Sequence, residues 1–205
     1  MMKEIVNFLS EVGKLKDIKR RGWILRNVKN PETIADHTFR LAIMAWILGE
    51  KKGLDIKKTM KIALAHDLCE VYAGDVTPYE KFIGGDKAEL ARALKKWPRF
   101  SKKEKIDTAR KKHKKELASL KKLTAKLPEK IKREIIRLWF EYENGSSAEA
   151  RFIRQIDKLE NLLQAFEYNK RDKKFPIDAW YVEIREKIDD PLLIEFIKLL
   201  GKKKK

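Results

Sequence analysis

Residues 32–50, ETIADHTFRLAIMAWILGE, constrain the fold more than any other part of this chain. Read at the helical period the stretch is apolar nearly all round, which predicts a helix from about Glu32 to Gly49 at the centre of a bundle. Asn30 and Pro31 offer it an N-cap and a first helical position. The same period recurs on either side. Ile5, Phe8, Leu9, Val12 and Leu15 mark a first amphipathic helix. Asp55 caps a third, from about Ile56 to Tyr72.

Further along, Thr77-Pro78 starts a short segment, Gly84-Gly85 break the chain, and Ser101 with Glu104 forms a capping box for a Lys-rich helix. Pro128 separates that helix from IKREIIRLWFEYE. Ser146 and Glu149 form a second capping box before AEARFIRQIDKLENLLQAFEY, and the tail after Arg171 holds one more helical pattern. DIKRRGWILRNVKN reads as non-helical. No run alternates with the period of two that a half-buried strand needs, and no repeat or Pro/Gly/Ser linker divides the 205 residues. The expectation is an all-α fold of seven or eight helices in one domain spanning 1–205. Its core covers about 5–170, a Lys-rich helical segment at about 87–126 is the least core-like part, and a C-terminal helix with a basic tail follows at 171–205.

The balance of 49 Lys plus Arg against 31 Asp plus Glu gives a formal charge of +18. Such a field attracts anions: nucleic acid, phosphorylated metabolites or an anionic membrane surface. The Lys-dominated charge also resembles the Lys/Glu enrichment of heat-adapted proteins, so charge alone identifies no ligand. The single cysteine, Cys69, excludes an internal disulfide framework and fits a reducing compartment. The N-terminus lacks the apolar core of a signal peptide, and no run reaches the roughly 18 to 20 apolar residues of a membrane helix. Together these predict a soluble, cytoplasmic protein.

Polar residues interrupt the two most apolar helices. His37 shares a face with Leu41, Met44 and Leu48, while His66 follows Ile62 and Ala63 and stands beside Asp67. Glu70 is four residues after His66 and three after Asp67, on the same predicted helix face, and Gly74-Asp75 closes the segment. A lone buried histidine is commonly a hydrogen-bonded core residue. Two of them, one followed by a carboxylate, form the ligand set of a borderline transition metal. His113, in ARKKHKKE, reads as solvent-facing, and Cys69 as a small core residue.

Taken together, RRGWILRNVKNPETIADHTFRLAIMA, LAHDLCEVYAGDVTP and SSAEARFIRQIDKLENLLQAFEY resemble the HD-domain metal-dependent phosphohydrolases. The likeness is to the subfamily of bacterial 5'-deoxynucleotidases and the eukaryotic HD-domain-containing protein 2 group. It implies that His37, His66, Asp67 and Asp157 hold one divalent metal ion. Periodicity does not single out Asp157: it borders the arc of Phe152, Ile153, Ile156, Leu159, Leu163 and Phe166, and Glu160 sits as deep. The matching block QIDKLE selects it. Nitrogen and oxygen donors without sulfur favour Mn, Co, Fe, Ni or Zn over Mg or Ca.

The resemblance further implies that Glu70 orients or deprotonates the attacking water, or holds His66 in place. Asp75 would meet the sugar and leaving oxygen, and Arg21 the phosphate, with Arg20 and Arg26 as alternatives. Glu116 matches an acidic position on a later helix. The implied reaction removes the 5'-phosphate from (deoxy)nucleoside monophosphates, in a homodimer. Two other readings stay open. One is a different HD activity: hydrolysis of nucleoside triphosphates, cyclic nucleotides or guanosine polyphosphates. The other is a basic nucleic-acid-binding protein, with Trp97, Pro98 and Phe100 interleaved among lysines as stacking groups; a lid or dimer contact suits those three equally well.

Overall fold

The computed structural model describes residues 2–77, 79, 82–83, 85–95 and 101–202, and the all-α expectation holds throughout them. Eleven α-helices are present among these residues, with one isolated antiparallel bridge between Lys19 and Thr33. Trp97, Pro98, Phe100, Pro78 and Gly84 lie outside the described residues. The helix count exceeds the seven or eight expected for three local reasons. A helical turn forms in the segment read as non-helical, the third helix breaks in two, and the tail after Arg171 holds two helices.

The chain divides into two compact units, each assembled from two stretches: residues 1–37 with 65–139, and residues 38–64 with 140–205. In the first unit, α1 (Met2–Gly13) and the 3-10 turn Lys14–Lys16 precede the short α2 (Arg21–Ile24). Leu15, Ile34, Val71 and Leu123 form its core, with Phe8, Val12, Ile18, Ala35 and Leu68 packed against them. Residues 18–20 run against 32–34: the Arg20 N–H donates to the Glu32 carbonyl and the Ile34 N–H to the Ile18 carbonyl, both at 2.9 Å. α2 then ends in a Schellman arrangement. Asn27 takes φ 57°, the Val28 N–H reaches back to the Trp23 carbonyl and the Asn27 N–H to the Ile24 carbonyl. Buried Trp23 donates its indole N–H to Glu32 Oε1 at 2.8 Å. The basic segment is therefore a pinned turn.

α3 spans Ile34–Lys52, and its cap differs from the Asn30-Pro31 expectation. Thr33 Oγ1 accepts from the Asp36 N–H at 3.0 Å, and Asp36 Oδ2 accepts from the Thr33 N–H at 2.8 Å. This reciprocal pair is a capping box with Asp in place of Glu. α4 (Ile56–Ala65) starts where expected, with Asp55 Oδ1 accepting from the Lys58 N–H.

In the first unit follow α5 (Glu70–Ala73), α6 (Lys87–Lys95), α7 (Lys102–Thr124) and the start of α8 (Glu129–Asn144). The second half of α7 is deeper than its lysines suggest: Glu116, Ser119, Leu120, Leu123 and Thr124 are all buried. His113 is half-buried rather than solvent-facing, its ring 4.9 Å from that of buried Trp139.

The second unit is organised around α9 (Ala148–Arg171), with α10 (Asp178–Lys187) and α11 (Pro191–Lys202) packed on it. Its cap falls on Ser147, one residue past the expected Ser146, with Ser147 Oγ accepting from the Ala150 N–H. α9 is buried on most of its circumference and α3 is not, the reverse of the expectation for residues 32–50. α9 can be buried because its polar groups are paired. Arg40 donates to Glu160 Oε1, Gln164 Oε1 and Glu167 Oε1 at 2.6–2.8 Å. Gln155 Oε1 accepts from the N–H groups of Asp189 and Asp190, tying α9 to the start of α11.

Candidate metal centre

Between α4 and α5 the chain tightens. The Leu68 N–H donates to the Ala65 carbonyl, Glu70 to Asp67 and Val71 to Leu68, all three residues back instead of four. The continuous helix expected to Tyr72 is thus replaced over residues 66–69 by turns of 3-10 type. In such turns residues three apart eclipse one another, which brings Asp67 and Glu70 onto one edge without a continuous α-helix. Cys69 is buried as expected, and burial above all pushes its thiol well above the ordinary value, so it is a packing residue. The Ser119 hydroxyl donates to the Cys69 carbonyl and fixes α7 against this turn.

His37, His66 and Asp67 come together within the first unit. The imidazole rings stand 5.5 Å apart. Asp67 Oδ2 lies 3.0 Å from His66 Nε2 and 3.9 Å from His37 Nε2. Ligand atoms bound to one ion at about 2.1 Å are separated by roughly 3 Å when adjacent and by up to roughly 4.2 Å when opposite, so both separations are within reach of one divalent cation. Glu70 adds a second observation: it is 2 % exposed, and its Oε2 has no hydrogen-bond partner among the described residues. A buried carboxylate oxygen in that condition is costly unless a cation or proton meets it. The residues present fit a metal.

Local electrostatics separate the two carboxylates. Burial favours the neutral acid at Asp67, but His66, then Arg20 and His37, outweigh it and hold the carboxyl below its ordinary range. Arg20 Nη1 approaches Asp67 Oδ2 at 3.3 Å. At Glu70 burial pushes the carboxyl well above its ordinary range, and the charges of Asp67 and Asp75 push the same way. Neighbouring carboxylates divided like this suit an anionic ligand and a proton carrier.

Asp75 is placed by Gly74, whose φ of 71° with ψ of 165° is a conformation essentially reserved for glycine. The turn brings Asp75 Oδ2 to 2.7 Å from the Arg21 backbone N–H. The basic residues divide their work: Arg20 faces Asp67, while Arg26 donates to Tyr79 Oη at 3.0 Å and stacks on its ring. Arg21 meets Asp75 through its main chain, its side chain half-exposed.

On α7 lies Lys112, which the sequence did not single out, beside Glu116, the acidic position that the resemblance marked. Glu116 is buried with Lys112 Nζ 3.4 Å from its Oε1. The apolar line Leu120, Leu123, Leu127, followed backward through Ser119, reaches Glu116 and Lys112, and that was the available signal. In the second unit, Asp157 is buried on α9. Tyr142 Oη donates to its Oδ2 at 3.1 Å, Lys158 Nζ lies 3.0 Å from the same oxygen, and Asn161 Nδ2 donates to Oδ1 at 3.2 Å. Glu160, equally deep by periodicity, is the partner of Arg40.

The HD domain family model matches residues 12–192. The 5'-deoxynucleotidase HDDC2 of Homo sapiens is 32 % identical over 196 residues, covering 95 % of this chain and 83 % of that protein. The 5'-deoxynucleotidase hdd1 of Schizosaccharomyces pombe is 32 % identical, covering 82 % of this chain and 73 % of its own length. Among solved structures, a conserved hypothetical protein of Pyrococcus furiosus matches with a TM-score of 0.68 and 28 % identity over 96 % of this chain and 99 % of that one. The PH0347 protein of Pyrococcus horikoshii matches at 0.67 and 27 % over 98 % and 97 %.

Proposed function

We propose, from the premise that this chain belongs to the HD-domain family, that it is a metal-dependent phosphohydrolase removing the 5'-phosphate from deoxynucleoside monophosphates. The observation that carries the reading is the approach of His37 Nε2 and His66 Nε2 to one oxygen of Asp67. These three residues would hold the ion, with Asp157 as fourth ligand on the strength of the QIDKLE block and its burial on α9. The donor set of imidazole and carboxylate favours Mn, Co, Fe, Ni or Zn. Such an ion, when bound, polarises a phosphoryl oxygen and lowers the pKa of water.

The chain's own residues supply the rest. Glu70, buried and lifted toward the neutral acid, is placed to hold or take a proton beside Asp67. Asp75, held on the Arg21 main chain, would meet the sugar and the leaving oxygen. The forked guanidinium of Arg21 suits a phosphate dianion. We place the protein in the cytoplasm, in keeping with its single, free cysteine; no helix among the described residues is long and apolar enough to cross a membrane. The test is phosphate release. Metal-free protein reloaded with Mn or Co should liberate inorganic phosphate from deoxynucleoside monophosphates, and His66→Ala and Asp67→Ala should abolish it. Release of pyrophosphate or tripolyphosphate from other nucleotides, with none from monophosphates, would replace this reading by another hydrolysis.

We also infer a homodimer. α3 exposes Phe39, Ile43, Trp46 and Ile47 at 70, 36, 49 and 61 %. Their spacing of four, seven and eight residues makes one apolar stripe. With aromatic side chains of about 150 to 250 Å² each, the stripe presents on the order of 500 Å², most of the ~800 Å² per partner of a standard interface. Arg40 is the single charged residue between Asp36 and Glu50, and it is spent on Glu160, Gln164 and Glu167. In a chain of charge +18, such a neutral face lets a second copy approach without opposing like charges.

A further inference from the structure

α7 directs one line of side chains at the 66–75 segment. Ser119 holds the Cys69 carbonyl, Glu116 is buried one turn earlier, and Lys112 stands another turn before that. Residues at these spacings share a helix face, and Lys112 lies about 10 Å along the axis from Ser119. The other basic residues nearby on α7, Arg110, Lys111, Lys114 and Lys115, are exposed. Lys112 alone among them is turned inward, its Nζ 3.4 Å from Glu116 Oε1 with 42 % of its side chain exposed. Although burial works against its charge, Glu116 and then Glu70, Asp67 and Asp75 hold the ammonium above its ordinary range.

The Lys112–Glu116 pair is poorly explained as a helix stabiliser. Lysine preceding glutamate by four residues is the weaker orientation, and a buried carboxylate is costly to keep. As a device for aiming an ammonium the pair makes sense. Asp67, Asp75 and Glu116 would repel a phosphate dianion, and Arg20 is already set against Asp67.

We propose that Lys112, aimed from α7 by Glu116, binds the phosphate of the substrate. The proposal rests on the phosphohydrolase reading, but its test does not need turnover. Inorganic phosphate is titrated calorimetrically into metal-loaded wild type, Lys112→Met, Lys112→Arg, Lys112→Met/Glu116→Gln and the exposed control Lys115→Met. Metal content and melting temperature are measured on each, and KM and kcat are determined wherever the wild type turns over.

Lys112→Met is expected to weaken phosphate binding and to raise KM at least tenfold at unchanged metal content, while Lys112→Arg retains most of the affinity and Lys115→Met all of it. The double variant also removes the buried Glu116 charge that has lost Lys112, and should regain thermal stability without regaining phosphate affinity. Three results overturn the proposal: Lys112→Met binding phosphate within twofold of wild type, the double variant recovering affinity together with stability, or wild type binding no phosphate. A wild type that binds phosphate but releases none from any nucleotide refutes the proposed reaction, and the titration still decides Lys112.

Discussion

Glu70 is the residue whose environment most departs from that of a free side chain. Its carboxyl is buried beside Asp67 and Asp75, and its folded pKa is raised. For a carboxyl so shifted, stability is fully present below the unfolded value of about 4.3 and is lost as pH rises through the folded one. A neutral isostere escapes that loss. Glu70→Gln is therefore expected to raise the melting temperature of metal-free protein at pH 7 to 8, while cutting kcat by about 10²- to 10⁴-fold in the metal-loaded form. Thermal unfolding and phosphate release on the same preparations check both halves; a variant less stable than wild type at pH 8 contradicts the first. At this scale the sequence was informative about identity and less so about partners. His37, His66, Asp67 and Glu70 stood out because polar groups interrupted apolar helices. Lys112 did not, since its one signal, the apolar line of α7 continued backward, is weak for one inward lysine among many outward ones.

Elements were legible where a cap or an apolar period marks them, and misread where pairing hides burial. α4, opened by Asp55, was expected where it lies, and α9 within one residue of its cap. The central role of α9 was hidden because Glu160, Gln164 and Gln155 are neutralised by partners distant in sequence, whereas the apolar residues of α3 suggested a burial that half of them lack. The break at residues 66–69 has no breaker residue to announce it.

The start of α3 carries its own prediction. The Thr33 backbone N–H chiefly holds Asp36 below its ordinary value, against the opposing effect of burial. A depressed carboxylate contributes stability present above the unfolded value of about 3.9 and lost as pH falls through the folded one. Asp36→Asn should flatten the acid limb of the stability curve, and Thr33→Ala should cost about 1 kcal/mol. Chemical denaturation from pH 2.5 to 7 measures both; an unchanged acid limb in Asp36→Asn would count against the capping box.

For the whole molecule, periodicity marks the helical class and composition the basic charge, but neither shows where that charge is absent. The apolar stripe of α3 is the place where it is. Trp46→Glu is expected to convert the inferred dimer to monomer in sedimentation at physiological salt, since an unpaired carboxylate on each copy would face its twin across a two-fold axis. Wild type sedimenting as a monomer at micromolar concentration would refute the inferred dimer.

The proposed reaction requires one divalent ion, which we assign to His37, His66, Asp67 and Asp157. Anomalous diffraction from crystals of manganese-loaded protein tests this directly. We predict a single strong peak about 2.0 to 2.3 Å from a ligand atom of each of the four side chains. A peak elsewhere, or none at full manganese loading, would contradict the account.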